Sequence, residues 1–131
     1  MVLLLSSAAS SQSITCPPST SISPCYCTDV FSPGQASLYC VNQDLDDVKM
    51  SQILDAYLAA GVSVSPLEVL YLDRNQLTRV PTQIALFPKI FYVNLDHNNI
   101  RQLVSGSFNF SPQISSIRLY LGYNQLTSIE A

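Results

Sequence analysis

From residue 66 onward, short bursts of alternating apolar and polar residues return at a regular interval. The first is Leu67-Glu68-Val69-Leu70-Tyr71-Leu72-Asp73-Arg74-Asn75-Gln76-Leu77. The second is Ile90-Phe91-Tyr92-Val93-Asn94-Leu95-Asp96-His97-Asn98-Asn99-Ile100, and the third is Ser116-Ile117-Arg118-Leu119-Tyr120-Leu121-Gly122-Tyr123-Asn124-Gln125-Leu126. Their asparagines are 23 and then 26 residues apart. A unit that short cannot bury its own apolar face, whereas stacking on neighbours of the same kind does so. Each burst therefore predicts one short parallel strand whose alternate apolar side chains enter a shared core. Asn75, Asn98 and Asn124 stand where the chain leaves the strand and bends. Their amides are expected to satisfy backbone groups that the bend leaves unpaired, as a structural ladder and not as catalytic groups. Thr78 to Pro81, with Ile84, Leu86 and Phe87, are expected to fill the returning side of the first unit, and Leu103 and Phe108 that of the second. In the third unit Ser116 replaces a large apolar residue, which predicts a local irregularity compensated by Ile114 or Ile117.

Upstream the period changes. Met50, Ile53, Leu54, Tyr57 and Leu58 fall on one face at helical spacing between Asp46 and Ala60. Asp46 or Asp47 suits the N-cap, and Gly61 the position just past the helix end. Leu38 to Val41 reads as a short β run. Residues 14–37 are rich in Ser, Thr and Pro with little periodicity, so crosslinks are their expected source of order.

At 131 residues the chain is sized for one domain. An apolar content of 47% and a charged content of 11% exclude wholesale disorder. The net charge is −3 and the six basic residues are scattered, which disfavours nucleic acid and anionic membrane surfaces as partners. Residues 1–13 have the apolar run and small residues of a secretory signal, too short to span a bilayer, although no basic residue precedes the run. No other stretch reaches transmembrane length. The division expected is a signal peptide over 1–13, a cysteine-rich cap over 14–45, a helical insert over 46–65 and about three repeats over 66–131. The last repeat stops a few residues after Leu126 without a closing cap, which predicts a piece cut from a longer protein.

Cys16, Cys25, Cys27 and Cys40 are clustered at one end, an arrangement that reads as two disulfides in an oxidising compartment. Cys25 and Cys27 are poor partners for each other, because a one-residue loop strains the bridge. Two pairings stay open: Cys16–Cys27 with Cys25–Cys40, or Cys16–Cys25 with Cys27–Cys40. The C-x-C spacing without a second close pair argues against a zinc site.

The repeats resemble the extracellular leucine-rich-repeat family, and Cys16-Pro17, Cys25-Tyr26-Cys27 and Cys40 leading to Leu45 resemble that family's N-terminal cap. The resemblance implies an α/β solenoid: a horseshoe fragment of short parallel strands with a disulfide-capped N-terminus. It further implies first-to-third and second-to-fourth pairing, Cys16–Cys27 and Cys25–Cys40. The helix before the first repeat is a departure that puts that repeat's geometry in doubt. Cys16-Pro17, the segment from Ile22 to Thr28 and the helix also look like arthropod secreted repeat proteins, a group that includes the non-catalytic subunit of a shrimp luciferase. That likeness implies a carrier or stabilising partner.

Catalysis finds little footing. His97 is the one histidine, expected as a solvated surface residue; a Ser-His-Asp or Cys-His site needs partners placed by the fold, and the cysteines are expected to be oxidised. No phosphate-cradling glycine loop or metal-ligand spacing occurs, and no cofactor is expected. Binding has more. Residues between the core leucines should form a concave sheet face in three columns: Val69, Tyr92 and Arg118; Tyr71, Asn94 and Tyr120; Asp73, Asp96 and Gly122. Arg74, His97 and Tyr123 flank the last. Tyrosines mixed with Arg, Asp and His suit recognition of a protein. Asp73 and Asp96 should be cross-strand neighbours, able to receive a basic side chain or a cation, or simply solvated. Asn109-Phe110-Ser111 matches the N-glycosylation acceptor, with Pro112 directly after it. The expectation is a secreted binding module that takes a protein or glycan partner on this face and is no enzyme. The alternatives are a non-catalytic carrier subunit working through its flank, or a piece of a receptor ectodomain.

Overall fold

The computed structural model describes residues 16–29, 35–61, 64–103 and 117–129. The expected signal peptide, Phe108, Asn109, Ile114 and Ser116 lie outside the described residues. In chain order the elements are α1 (Ser19–Ile22), β1 (Tyr26–Thr28), β2 (Ala36–Tyr39), α2 (Asp47–Ala60), β3 (Leu67–Tyr71), a 3₁₀ turn (Thr82–Leu86), β4 (Tyr92–Asn94), β5 (Gln102–Leu103), β6 (Arg118–Tyr120) and β7 (Ser128–Ile129).

The repeat spacing becomes a sheet of order β1-β2-β3-β4-β6, antiparallel only between β1 and β2. On the returning side β5 and β7 pair in parallel, Gln102 opposite Ser128. The parallel register runs Leu38, Leu70, Val93, Leu119 in one line and Tyr39, Tyr71, Asn94, Tyr120 in the next. One residue on, the amides of Cys40, Leu72 and Leu95 each donate to the following strand at 2.8 Å. Cys40 thus stands where later units place a leucine, and the cap's strand is a first turn of the same stack. Leu38, Leu70, Leu72, Val93, Leu95 and Ile100 are wholly buried. In β6, the edge strand, the matching Leu119 and Leu121 are only half-buried, as is Ile117. The β run expected at Leu38 begins two residues earlier, because Ala36 and Leu38 both point into the core while Ser37 and Tyr39 alternate outward.

The cysteines join as Cys16–Cys27 and Cys25–Cys40. Residues 16–29 are more regular than their composition suggested: α1 packs on α2 through buried Ile22, and β1 pairs with β2.

Helix α2 returns the chain from β2 to β3, as the 3₁₀ turn returns it from β3 to β4, and the two pack together. Its start is capped by the Asp46 carboxylate, which accepts the Lys49 amide at 2.8 Å, and its end by Gly61 at φ 58°, a backbone conformation that favours glycine. Met50, Ile53, Leu54 and Tyr57 form its buried face and Leu58 the half-buried margin. Gln83 ties the 3₁₀ turn to Ser51 and Asp55, and Asp47 accepts the Thr78 amide at 3.0 Å and also binds its hydroxyl. Val80, Pro81, Ile84 and Phe87 fill the returning side, but Leu86, expected with them, is 65% exposed. Three residues per turn put Ile84 and Phe87 on one face of this segment and leave Leu86 on the other.

Tyr57 meets Phe87 edge-on and donates its hydroxyl to the Ser65 carbonyl at 2.9 Å. Burial pushes its phenol up to about 12. Protonated Tyr57 is therefore favoured by the folded state, so its contribution is complete below the unfolded value of about 10 and is lost as pH rises toward 12. Unfolding free energies measured across that window should fall by about 2 kcal/mol in the wild type, and the fall should be much smaller in Tyr57→Phe.

Candidate partner-binding face

Residues that alternate with the core leucines emerge on the sheet face turned away from the core. The first two expected columns are observed: Val69, Tyr92 and Arg118 are in register, as are Tyr71, Asn94 and Tyr120. The side chains make a pattern that the columns do not show. Tyr71 contacts Tyr92 diagonally at 5.3 Å between ring centroids, and Tyr92 contacts Tyr120 at 5.2 Å. Diagonal neighbours on a sheet lie within reach of aromatic rings. On the cap side Tyr71 stacks on Tyr39 at 4.7 Å, and Tyr39 meets Tyr26 at 6.2 Å. Five tyrosines thus form one unbroken row from β1 to β6. Tyr26 and Tyr39 were missed as site residues. The signal was present in the repeated Leu-Tyr pair at Leu38-Tyr39, Leu70-Tyr71 and Leu119-Tyr120.

The third column sits where the strands end. Asp96 Oδ1 accepts the Gly122 amide at 2.6 Å. Asp73 Oδ2 is 4.0 Å from the Arg74 guanidinium, and its Oδ1 is buried with no hydrogen-bond partner among the described residues. The two acids are therefore neither paired with one cation nor freely solvated. Burial raises the Tyr92 phenol, and the neighbouring Tyr71, Tyr120, Asp73 and Asp96 push it the same way. Asn94, expected at the binding face, lies on that face in register with Tyr71 and Tyr120, and its Oδ1 accepts the Asp96 amide at 2.9 Å.

Arg74, His97 and Tyr123 all hold left-handed backbone, as does Asn42 in the cap. That conformation turns the chain sharply and brings the next residue, the ladder asparagine, inward. His97 is not the solvated histidine expected: it is half-buried and stacked on Tyr123, with centroids 4.2 Å apart and planes 7° from parallel. The stack follows from equal backbone conformations in successive turns, which set the two rings one above the other.

Beneath the face, each ladder asparagine bridges its own unit and the preceding one. The Asn75 amide nitrogen donates to the Cys40 and Leu72 carbonyls, and its oxygen accepts the amides of Gln43 and Leu45. Asn98 donates to Leu72 and Leu95 and accepts from Leu77. Asn124 donates to Leu95 and Leu121 and accepts from Ile100. This network fixes the pitch between units, and with it the spacing of the tyrosines.

An apolar cleft of about 470 Å³ opens at the C-terminal end of α2, walled by Tyr57, Leu58, Pro66, Leu67, Phe87 and Pro88. Among the described residues no group of three or more His, Cys, Asp or Glu is placed to hold a metal ion, and no helix is long and apolar enough to cross a membrane.

Stacked parallel strands, an asparagine at each strand exit and a disulfide-bonded first turn are the arrangement expected of leucine-rich repeats. The chain is 43% identical to fibromodulin of Oryctolagus cuniculus over 68 residues, which are 50% of this chain and 44% of that protein. It is 41% identical to fibromodulin of Homo sapiens over 68 residues, 50% of this chain and 17% of that protein. It is 35% identical to lumican of Rattus norvegicus over 98 residues, 68% of this chain and 28% of that protein. The chain spans less than half the length of these relatives. No protein-family model and no solved structure matches it. These likenesses to fibromodulin and lumican, together with the two disulfides, indicate an extracellular location for the chain. The likenesses lend no support to the narrower resemblance to arthropod proteins.

Proposed function

We propose that this chain is part of a secreted leucine-rich-repeat solenoid that binds a protein partner of the extracellular matrix through its tyrosine-bearing sheet face, without catalysing a reaction. The observation that supports this most is the continuous row Tyr26, Tyr39, Tyr71, Tyr92, Tyr120. Tyrosine supplies a large, rigid contact area with a polar tip and is enriched at the energetic centres of protein interfaces. The row rests on strands locked by the asparagine network, so it is held in place before a partner arrives, and less ordering remains to oppose binding. Arg74, Arg118, Asp73 and Asp96 supply a polar margin for orientation. The likeness to fibromodulin and lumican supports a partner outside the cell.

The test is binding of the purified chain to a panel of immobilised, purified matrix proteins. Tyr92→Ala with Tyr120→Ala should weaken capture about tenfold or more while thermal unfolding stays cooperative. Leu86→Ser and Val48→Ser, on exposed positions of the returning side, should leave capture unchanged. The reverse pattern would favour a carrier subunit that works through its flank.

A further inference from the structure

The two halves of the tyrosine row differ. Tyr39 and Tyr71 lie face to face, 6° from parallel, so each ring covers the other. Beyond Tyr71 the rings tilt by 49° and then 45°, an arrangement in which neighbours cannot fully cover each other's faces, and Tyr120 is 41% exposed. The π faces left open carry negative charge density that attracts cations.

On the same sheet face, at the strand exits, stand Asp73 and Asp96. The fold treats these equivalent residues differently. Asp96 receives the Gly122 amide, an approach that glycine permits, since a Cβ there would lie 3.2 Å from the carboxylate oxygen. One unit back the matching donor is the Asp96 amide, and the Asn94 side chain has already taken it. Asp73 Oδ1 is thereby left without a partner among the described residues and sealed from the surface, so what Asp73 offers a partner is its negative charge and its other oxygen, which has only the long 4.0 Å approach of Arg74. Among the described residues the charge of Asp73 is poorly compensated. The remaining cation near the open rings is Arg118, exposed and opposite Tyr92 in register, with no carboxylate partner among the described residues.

Building on the reading that this face takes a protein, we infer that the partner presents arginine: an extended cationic segment with a guanidinium seated over the open rings of Tyr92 and Tyr120, facing the Asp73 and Asp96 carboxylates. A guanidinium is planar and weakly hydrated, so it stacks on aromatic faces while its edge donates to carboxylates. An ammonium supplies the charge without the plane and binds less well.

The experiment titrates the whole chain with three synthetic dodecapeptides, alternating serine with arginine, with lysine or with citrulline. Citrulline keeps the shape of arginine and removes its charge. The arginine peptide should bind at least about tenfold more tightly than the citrulline peptide, with lysine between them, and its affinity should fall as salt rises. Asp73→Asn with Asp96→Asn should erase most of the difference between arginine and citrulline. The asparagine at 96 keeps an oxygen for the Gly122 amide, so unfolding should be unchanged. Equal binding of arginine and citrulline peptides, or no response to the paired Asn substitution, overturns the inference. If matrix-protein capture still depends on Tyr92 and Tyr120 in that event, only the cationic partner is lost. If capture is also indifferent to those tyrosines, the reading of the face itself falls.

Discussion

Asn75→Ala should be the most damaging of the ladder substitutions, lowering stability by about 3–5 kcal/mol. The side chain is buried and serves five backbone groups: the amides of Gln43 and Leu45 and the carbonyls of Cys40, Leu72 and Asp73. Alanine leaves all five groups without this partner and supplies none. A buried polar group left unsatisfied costs roughly 1–3 kcal/mol, and water entering the vacated space recovers only part of the sum. Against a typical stability of about 5–15 kcal/mol, such a loss brings the variant close to the unfolding threshold. Asn124 makes the same kind of bonds, but it is only partly buried and lies beside the edge strand β6. Water can replace its bonds, so Asn124→Ala should cost only about 1–2 kcal/mol. Urea denaturation followed by far-UV circular dichroism tests the gradient. Equal losses at the two positions would mean that the ladder acts through local turn geometry and not through burial.

Removing the inner disulfide should have the next largest effect. Cys25→Ala with Cys40→Ala should cost about 3 kcal/mol, from the loop-closure entropy of a bridge spanning 15 residues. The bridge also has a packing role, because both cysteines are buried and Cys40 occupies a leucine position of the first turn. Without it, α1 and β1 are held mainly by Ile22, by the short pairing of β1 with β2 and by the outer bridge. The outer bridge, Cys16–Cys27, closes 11 residues between half-buried cysteines, so its removal should cost less. Melting temperatures of the two double variants give the order. A larger loss from the outer pair would place the cap's stability in the chain before β1.

The asparagine ladder was legible because every unit repeats the same local problem, a bend that strands backbone groups, and the same residue solves it at Asn75, Asn98 and Asn124. The helix was equally legible. Its apolar spacing, the cap at Asp46 and the stop at Gly61 are local properties of the chain. The register of β3, β4 and β6 followed from the alternation of core and surface residues, since a slip by one position would turn every leucine outward.

Much of the binding face was hidden. Reading columns straight across the sheet separated Tyr92 from Tyr71 and Tyr120, whereas the rings meet on the diagonal. Membership of Tyr26 and Tyr39 depended on β2 stacking as a first turn, under a disulfide pairing that spacing alone left open. Leu86 was misplaced because its face depends on the 3₁₀ pitch, and His97 because its surroundings come from the next turn.

By itself the sequence determined the units, their strands, the helix and the bonding role of the asparagines, because each rests on periodicity and on the chemistry of a few adjacent residues. Tertiary structure alone decided which aromatic rings touch, which carboxylate lost its donor and which half of the tyrosine row stays open. Those are relations between residues of different strands, which only the stacking of the units brings together. They are set by rotamers and by competition for individual backbone amides, and no one-dimensional pattern records either.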